Sequence, residues 1–87
     1  MISRSFTIRN KLGLHARPSA QITQTASRFQ CEVFIAKDGR RVNAKSIMGV
    51  MMLAAGPGSV VTVDVEGSDA EPALQAIGEL IEGGFGE

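Results

Sequence analysis

Eighty-seven residues, 44% of them hydrophobic, are enough for one small globular domain, expected to span 1–87. Nine basic residues balance nine acidic ones, which argues against a dedicated nucleic-acid binder, and no apolar run reaches membrane-spanning length. One cysteine, Cys31, and one histidine, His15, rule out an internal disulfide and fall short of a zinc set, so neither metal nor cofactor is expected.

The chain enters a strand pattern at once, without a secretory signal, so a cytoplasmic protein is expected. Residues 4–8 place Phe6 and Ile8 on one face. Asn10-Lys11-Leu12-Gly13 breaks that strand. From Ala16 to about Arg28 the spacing turns helical, with Pro18 tolerated in the first turn and Ile22 and Ala26 facing a core. Phe29 closes the end.

A second strand covers 31–36, with Cys31, Val33 and Ile35 on one face. Asp38-Gly39 is a hairpin signal, making Arg40 to Asn43 a third strand. Ser46 is placed to cap a short apolar helix over 47–53, which Gly56-Pro57-Gly58-Ser59 ends. Val60 to Glu66 alternates valine with polar residues, the pattern of a half-buried strand. Ser68 and Glu71 have capping-box spacing, with Asp69 a competing cap, before a helix whose stripe is Leu74, Ile77 and Ile81. Gly83-Gly84 stops it, and Phe85-Gly86-Glu87 is expected to fray unless Phe85 docks. The order β-α-β-β-α-β-α gives an α+β fold: a four-stranded, mostly antiparallel sheet with three helices on one face.

His15 follows a glycine turn and stands where a helix begins. A helix N-terminus offers unpaired N–H groups and partial positive charge, and Arg17 adds a planar fork suited to phosphate oxygens. Residues 1–30 contain no Asp or Glu, so nothing nearby in sequence repels a phosphoryl group. A hydrolytic triad lacks a local acid, and Gly56-Pro57-Gly58-Ser59 lacks the lysine of a nucleotide-binding loop. The chain reads as able to hold a phosphoryl group and unable to generate one from a nucleotide.

At these residues a resemblance becomes plain. Gly13-Leu14-His15-Ala16-Arg17-Pro18 resembles the active-site signature of the HPr family, the phosphocarriers of the bacterial phosphoenolpyruvate-dependent phosphotransferase system. Lys45-Ser46-Ile47-Met48-Gly49, at the family's separation, resembles its regulatory serine segment. The resemblance implies the open-faced β-sandwich fold and a carrier rather than an enzyme. It implies that His15 accepts phosphate from phosphorylated enzyme I and passes it to EIIA-type proteins, and that Arg17 steadies it. It further implies that Ser46 is the target of an HPr kinase/phosphorylase where one exists. Ser19 stands where the family commonly has alanine, and Leu12 where many members have a polar residue. Asn10 to Gly13 and the Gly-Phe tail resemble the nitrogen-related branch, whereas Ser46 to Val50 resembles members regulated on serine. Both branches stay open, as does a mainly regulatory module acting by docking.

In the second helix, Val50 and Leu53 are the core candidates. Ile47, Met48 and Met51 are then left as an exposed apolar patch, expected to form one docking surface with Ala16, Ala20 and the His15 face. A monomer without nucleic-acid or membrane partners is expected.

Overall fold

The computed structural model describes all residues, 1–87. Four strands and three helices alternate in the expected order: β1 (Ile2–Thr7), α1 (Ala16–Ala26), β2 (Glu32–Lys37), β3 (Arg40–Asn43), α2 (Ile47–Met52), β4 (Val60–Glu66) and α3 (Ala70–Glu82). A 3-10 turn over Gly84–Gly86 follows.

The strands form one sheet in the order β1-β4-β2-β3, and every pairing is antiparallel. In this register Phe6, Val61, Val63, Val65, Val33 and Ile35 share the buried face. Ile22 and Ala26 of α1, Val50 of α2, and Leu74, Ile77 and Ile81 of α3 complete that core. Full burial of each such aliphatic side chain is worth about 1.5–3 kcal/mol, which is what holds three amphipathic helices to one side.

The opposite face carries polar side chains. Ser3 donates to Asp64 at 2.5 Å, Arg41 pairs with Asp64 at 3.2 Å, and the Arg41 guanidinium lies 3.8 Å from the Phe34 ring centroid.

Several boundaries differ from the sequence expectation for physical reasons. Strand β1 begins at Ile2 because Ile2 pairs with Val65 at the far end of β4. Ile8 lies beyond β1 yet stays buried, its N–H donating to Ser59. Helix α1 ends at Ala26 because the chain tightens there: Arg28 N donates to Thr25 O and Phe29 N to Ala26 O, three residues back.

The capping box at Ser68 does not form. Asp69 is the N-cap residue of α3, and its carboxylate reaches away from the helix to accept from Gln30 N at 2.8 Å and Cys31 N at 2.9 Å. These bonds, the one from Gln30 foremost, hold the Asp69 carboxyl below its usual range. They pin the start of α3 to the entry of β2.

The tail does not fray. Phe85 is buried, and Gly84, Phe85 and Gly86 all have positive φ, at 65°, 58° and 75°. Glycine adopts that conformation without cost on either side of Phe85, and burial of the ring offsets the penalty at Phe85 itself. The turn folds back against α1, where Gln21 Nε2 donates to Phe85 O at 3.4 Å.

Candidate functional site

The loop before α1 is built on a close backbone approach. Gly13 has φ 68°, and a Cβ placed there would lie 2.3 Å from Ala55 O and 2.7 Å from Gly56 Cα. Only glycine lets the two segments meet. The next residue uses that proximity: Leu14 N donates to Ala55 O at 2.8 Å, tying the loop to the segment after α2. Leu14 itself is buried and anchors the chain one residue before His15.

His15 is the N-cap residue of α1, in extended conformation, and its side chain makes no capping bond to the helix. The first intrahelical bond runs from Ser19 N to His15 O at 3.0 Å. The N–H groups of Ala16 and Arg17 lie before it and point out of the helix end, and Pro18 has none to offer. Ser19 is fully buried, and its hydroxyl donates to Leu14 O at 3.1 Å. The serine thus braces the residue preceding His15.

One contact of His15 has no local signal in the sequence. His15 Nε2 lies 2.8 Å from Glu87 Oε2, across 72 residues of chain. Asn10 Nδ2 reaches the other carboxylate oxygen of Glu87 at 3.2 Å and Gly13 O at 2.7 Å. Both partners of that amide are acceptors, which fixes its orientation. The Asn10 bond, then the His15 bond, with added pull from the Arg17 charge, lower the Glu87 pKa from its ordinary 4.5. Glu87 is therefore ionised at neutral pH. A carboxylate only accepts, so the contact requires a proton on Nε2, and in the neutral form of the ring the lone pair is then on Nδ1. The sequence signal for Glu87 was faint: an apolar Phe85 between two glycines, able to dock and turn the chain.

Arg17 is exposed and makes no hydrogen bond or ion pair within the protein, so its fork is free. Ala16 is exposed and Ala20 half-buried on the same helix. Ser46 is the N-cap of α2; its Oγ accepts from Gly49 N at 3.1 Å, and the residue is exposed.

Helix α2 packs against α1; its Val50 is buried, as is Leu53 just after it. Ile47, Met48 and Met51 are 42%, 69% and 39% exposed. Met52 and Leu12 are exposed as well. No three His, Cys, Asp or Glu side chains come together as a metal site, and no helix is long and apolar enough to cross a membrane.

The chain is similar to known proteins. Residues 2–83 match the family model PTS-HPr, described as the PTS HPr component phosphorylation site. The phosphocarrier protein HPr of Neisseria meningitidis is 53% identical over 87 residues, covering 100% of this chain and 98% of that protein. Among solved structures, HPr-C-His from Thermoanaerobacter tengcongensis has a TM-score of 0.96 at 49% identity, covering 100% of this chain and 98% of that one. An HPr dimer from the same bacterium has a TM-score of 0.80 at 49% identity, with 100% of each chain covered.

Proposed function

The chain belongs to the HPr family of phosphocarrier proteins of the phosphotransferase system, and from that premise we propose that His15 is its phosphoryl acceptor and donor. The observation that carries this reading is His15 at the open end of α1, with Nε2 against Glu87 and Nδ1 without a partner in the protein.

In the proposed cycle, phosphorylated enzyme I docks on the face formed by α1 and α2. The Nδ1 lone pair forms a bond to phosphorus while the bond from phosphorus to the donor breaks, its electron pair going to enzyme I. The phosphoryl oxygens meet the free N–H groups of Ala16 and Arg17, the positive end of α1 and the Arg17 guanidinium. These are charge-assisted contacts made to the phosphoryl group, and they hold it until an EIIA-type protein docks. The reverse step then breaks the Nδ1–P bond and returns its electron pair to the ring.

The exposed apolar side chains Ile47, Met48 and Met51 are the proposed docking surface, with Ala16 and Ala20. Thioethers adapt to several partners, as a carrier between proteins requires.

Ser46 is the proposed regulatory site, modified by an HPr kinase/phosphorylase. A phosphate there meets the free N–H groups of the helix start, so the fold survives and the change falls on partner docking. The protein is proposed to work as a monomer in the cytoplasm, which sedimentation at working concentration checks.

The test is a relay. The protein is mixed with phosphoenolpyruvate and enzyme I, then chased with an EIIA protein. Acid-labile uptake followed by release supports the reading. Uptake that persists in His15→Ala refutes it.

A further inference from the structure

We propose that Glu87 is a positioning residue for the transfer: its carboxylate fixes the His15 ring through Nε2, keeps the proton there, and supplies the counter-charge while Nδ1 carries the phosphoryl group. This rests on the proposed function and names the group that sets the chemistry of its nucleophile.

Three features converge on it. First, the fold delivers Glu87 deliberately. Three successive residues in the left-handed region, Gly84, Phe85 and Gly86, reverse the chain after α3, and the buried Phe85 ring anchors the reversal. A non-glycine residue held at φ 58° stays there only because its surroundings require it.

Second, both carboxylate oxygens are engaged. Oε2 takes His15 at 2.8 Å and Oε1 takes the buried Asn10 at 3.2 Å, so the group cannot swing freely. Asn10 also holds Gly13 O, which couples the glycine loop, the carboxylate and the imidazole into one unit. Third, Glu87 is the acid that reaches His15 although residues 1–30 contain none, and its lowered pKa keeps it charged at neutral pH. Side-chain exposures of 34% for His15 and 24% for Glu87 leave the pair accessible to a partner.

The chemistry follows from the proton. The tautomer with Nε2–H is the one whose Nδ1 can attack. When the Nδ1–P bond forms, the ring gains a positive charge and the Nε2 proton stays in place against the carboxylate. When the bond breaks toward the acceptor, its pair returns to Nδ1 and the ring is neutral again, still protonated at Nε2. No proton has to move in either direction. The two nitrogens open on opposite edges of the ring, so the carboxylate and the phosphoryl group do not compete for one position.

The test combines ring nitrogen NMR with transfer kinetics on Glu87→Ala and Glu87→Gln. In the unphosphorylated protein, His15 should show one neutral tautomer, protonated at Nε2, and Glu87→Ala should show a mixture. The maximal rate of transfer from enzyme I should fall about tenfold in Glu87→Ala, the loss of one charge-assisted hydrogen bond, with the KM for enzyme I changed less than twofold. Glu87→Gln, which still accepts from Nε2 but carries no charge, should fall between. Unchanged ring nitrogens in Glu87→Ala, a maximal rate within twofold of wild type, or a loss confined to KM would each overturn the proposal. If the wild-type chain takes up no phosphoryl group on His15, the functional reading itself fails. If wild type does and both variants match it, this inference alone fails.

Discussion

Replacing Gly13 with alanine should damage stability and function together, because the same backbone contact supports both. The added Cβ would sit 2.3 Å from Ala55 O, well inside any tolerable contact, and the residue would be held at φ 68°. The left-handed conformation costs an L-residue about 1–2 kcal/mol. Relieving the clash means pulling Ala55 O away from the loop, which stretches the 2.8 Å bond from Leu14 N. Leaving that buried donor unpaired costs about 1–3 kcal/mol. The expected loss is therefore about 2–5 kcal/mol, against a total stability of roughly 4–13 kcal/mol for a chain of this length. Urea unfolding at 25 °C measures it directly. Phosphoryl uptake should fall more than stability alone explains, because Gly13 O also holds Asn10, which in turn holds Glu87. A urea midpoint within experimental error of wild type would refute the claim that this approach is tight.

Other perturbations separate the remaining parts. Met48→Asp should slow transfer from enzyme I roughly fivefold or more, while its melting temperature stays near wild type because Met48 is 69% exposed. Ala54→Gly should raise stability by about 0.5 kcal/mol, since Ala54 sits at φ 51° after α2; strain relief exceeds the added chain entropy, and thermal unfolding reads the shift. Asp69→Asn should destabilise the fold at pH 7 by weakening the bonds to Gln30 and Cys31. The Asp69 pKa is lowered from its ordinary 3.8 on folding, so the stabilisation is present above that value and lost as pH falls through the lower native one. Unfolding curves of variant and wild type should therefore converge in strong acid.

The sheet and its helices were legible because their signals are local. Alternating Val61, Val63 and Val65 can bury one face in only one register, and the helical stripe of Leu74, Ile77 and Ile81 fits only a helix packed on that face. The proposed nucleophile stands out for a similar reason: glycine, histidine, arginine and proline sit within six consecutive residues. What escaped was long-range. Glu87 meets His15 across 72 residues, and nothing in either segment specifies that pairing. For the tail, fraying and docking of Phe85 are both open from sequence, and its glycines are what allow Phe85 to turn into the core. Asp69, which competes with Ser68 as a cap on spacing, does take the N-cap position, but its carboxylate serves the loop before β2 rather than the helix. Ser19, which departs from the family habit of alanine, is explained by its bond to Leu14 O.

The most direct test of the central claim is nitrogen NMR of the single histidine before and after incubation with phosphoenolpyruvate and enzyme I. The chain contains one histidine, so one pair of ring signals reports the site without ambiguity. The account predicts that Nδ1 shifts on phosphorylation, that Nε2 stays protonated, and that both return to their starting values once an EIIA protein is added. Uptake of a phosphoryl group with the His15 ring signals unmoved would contradict it.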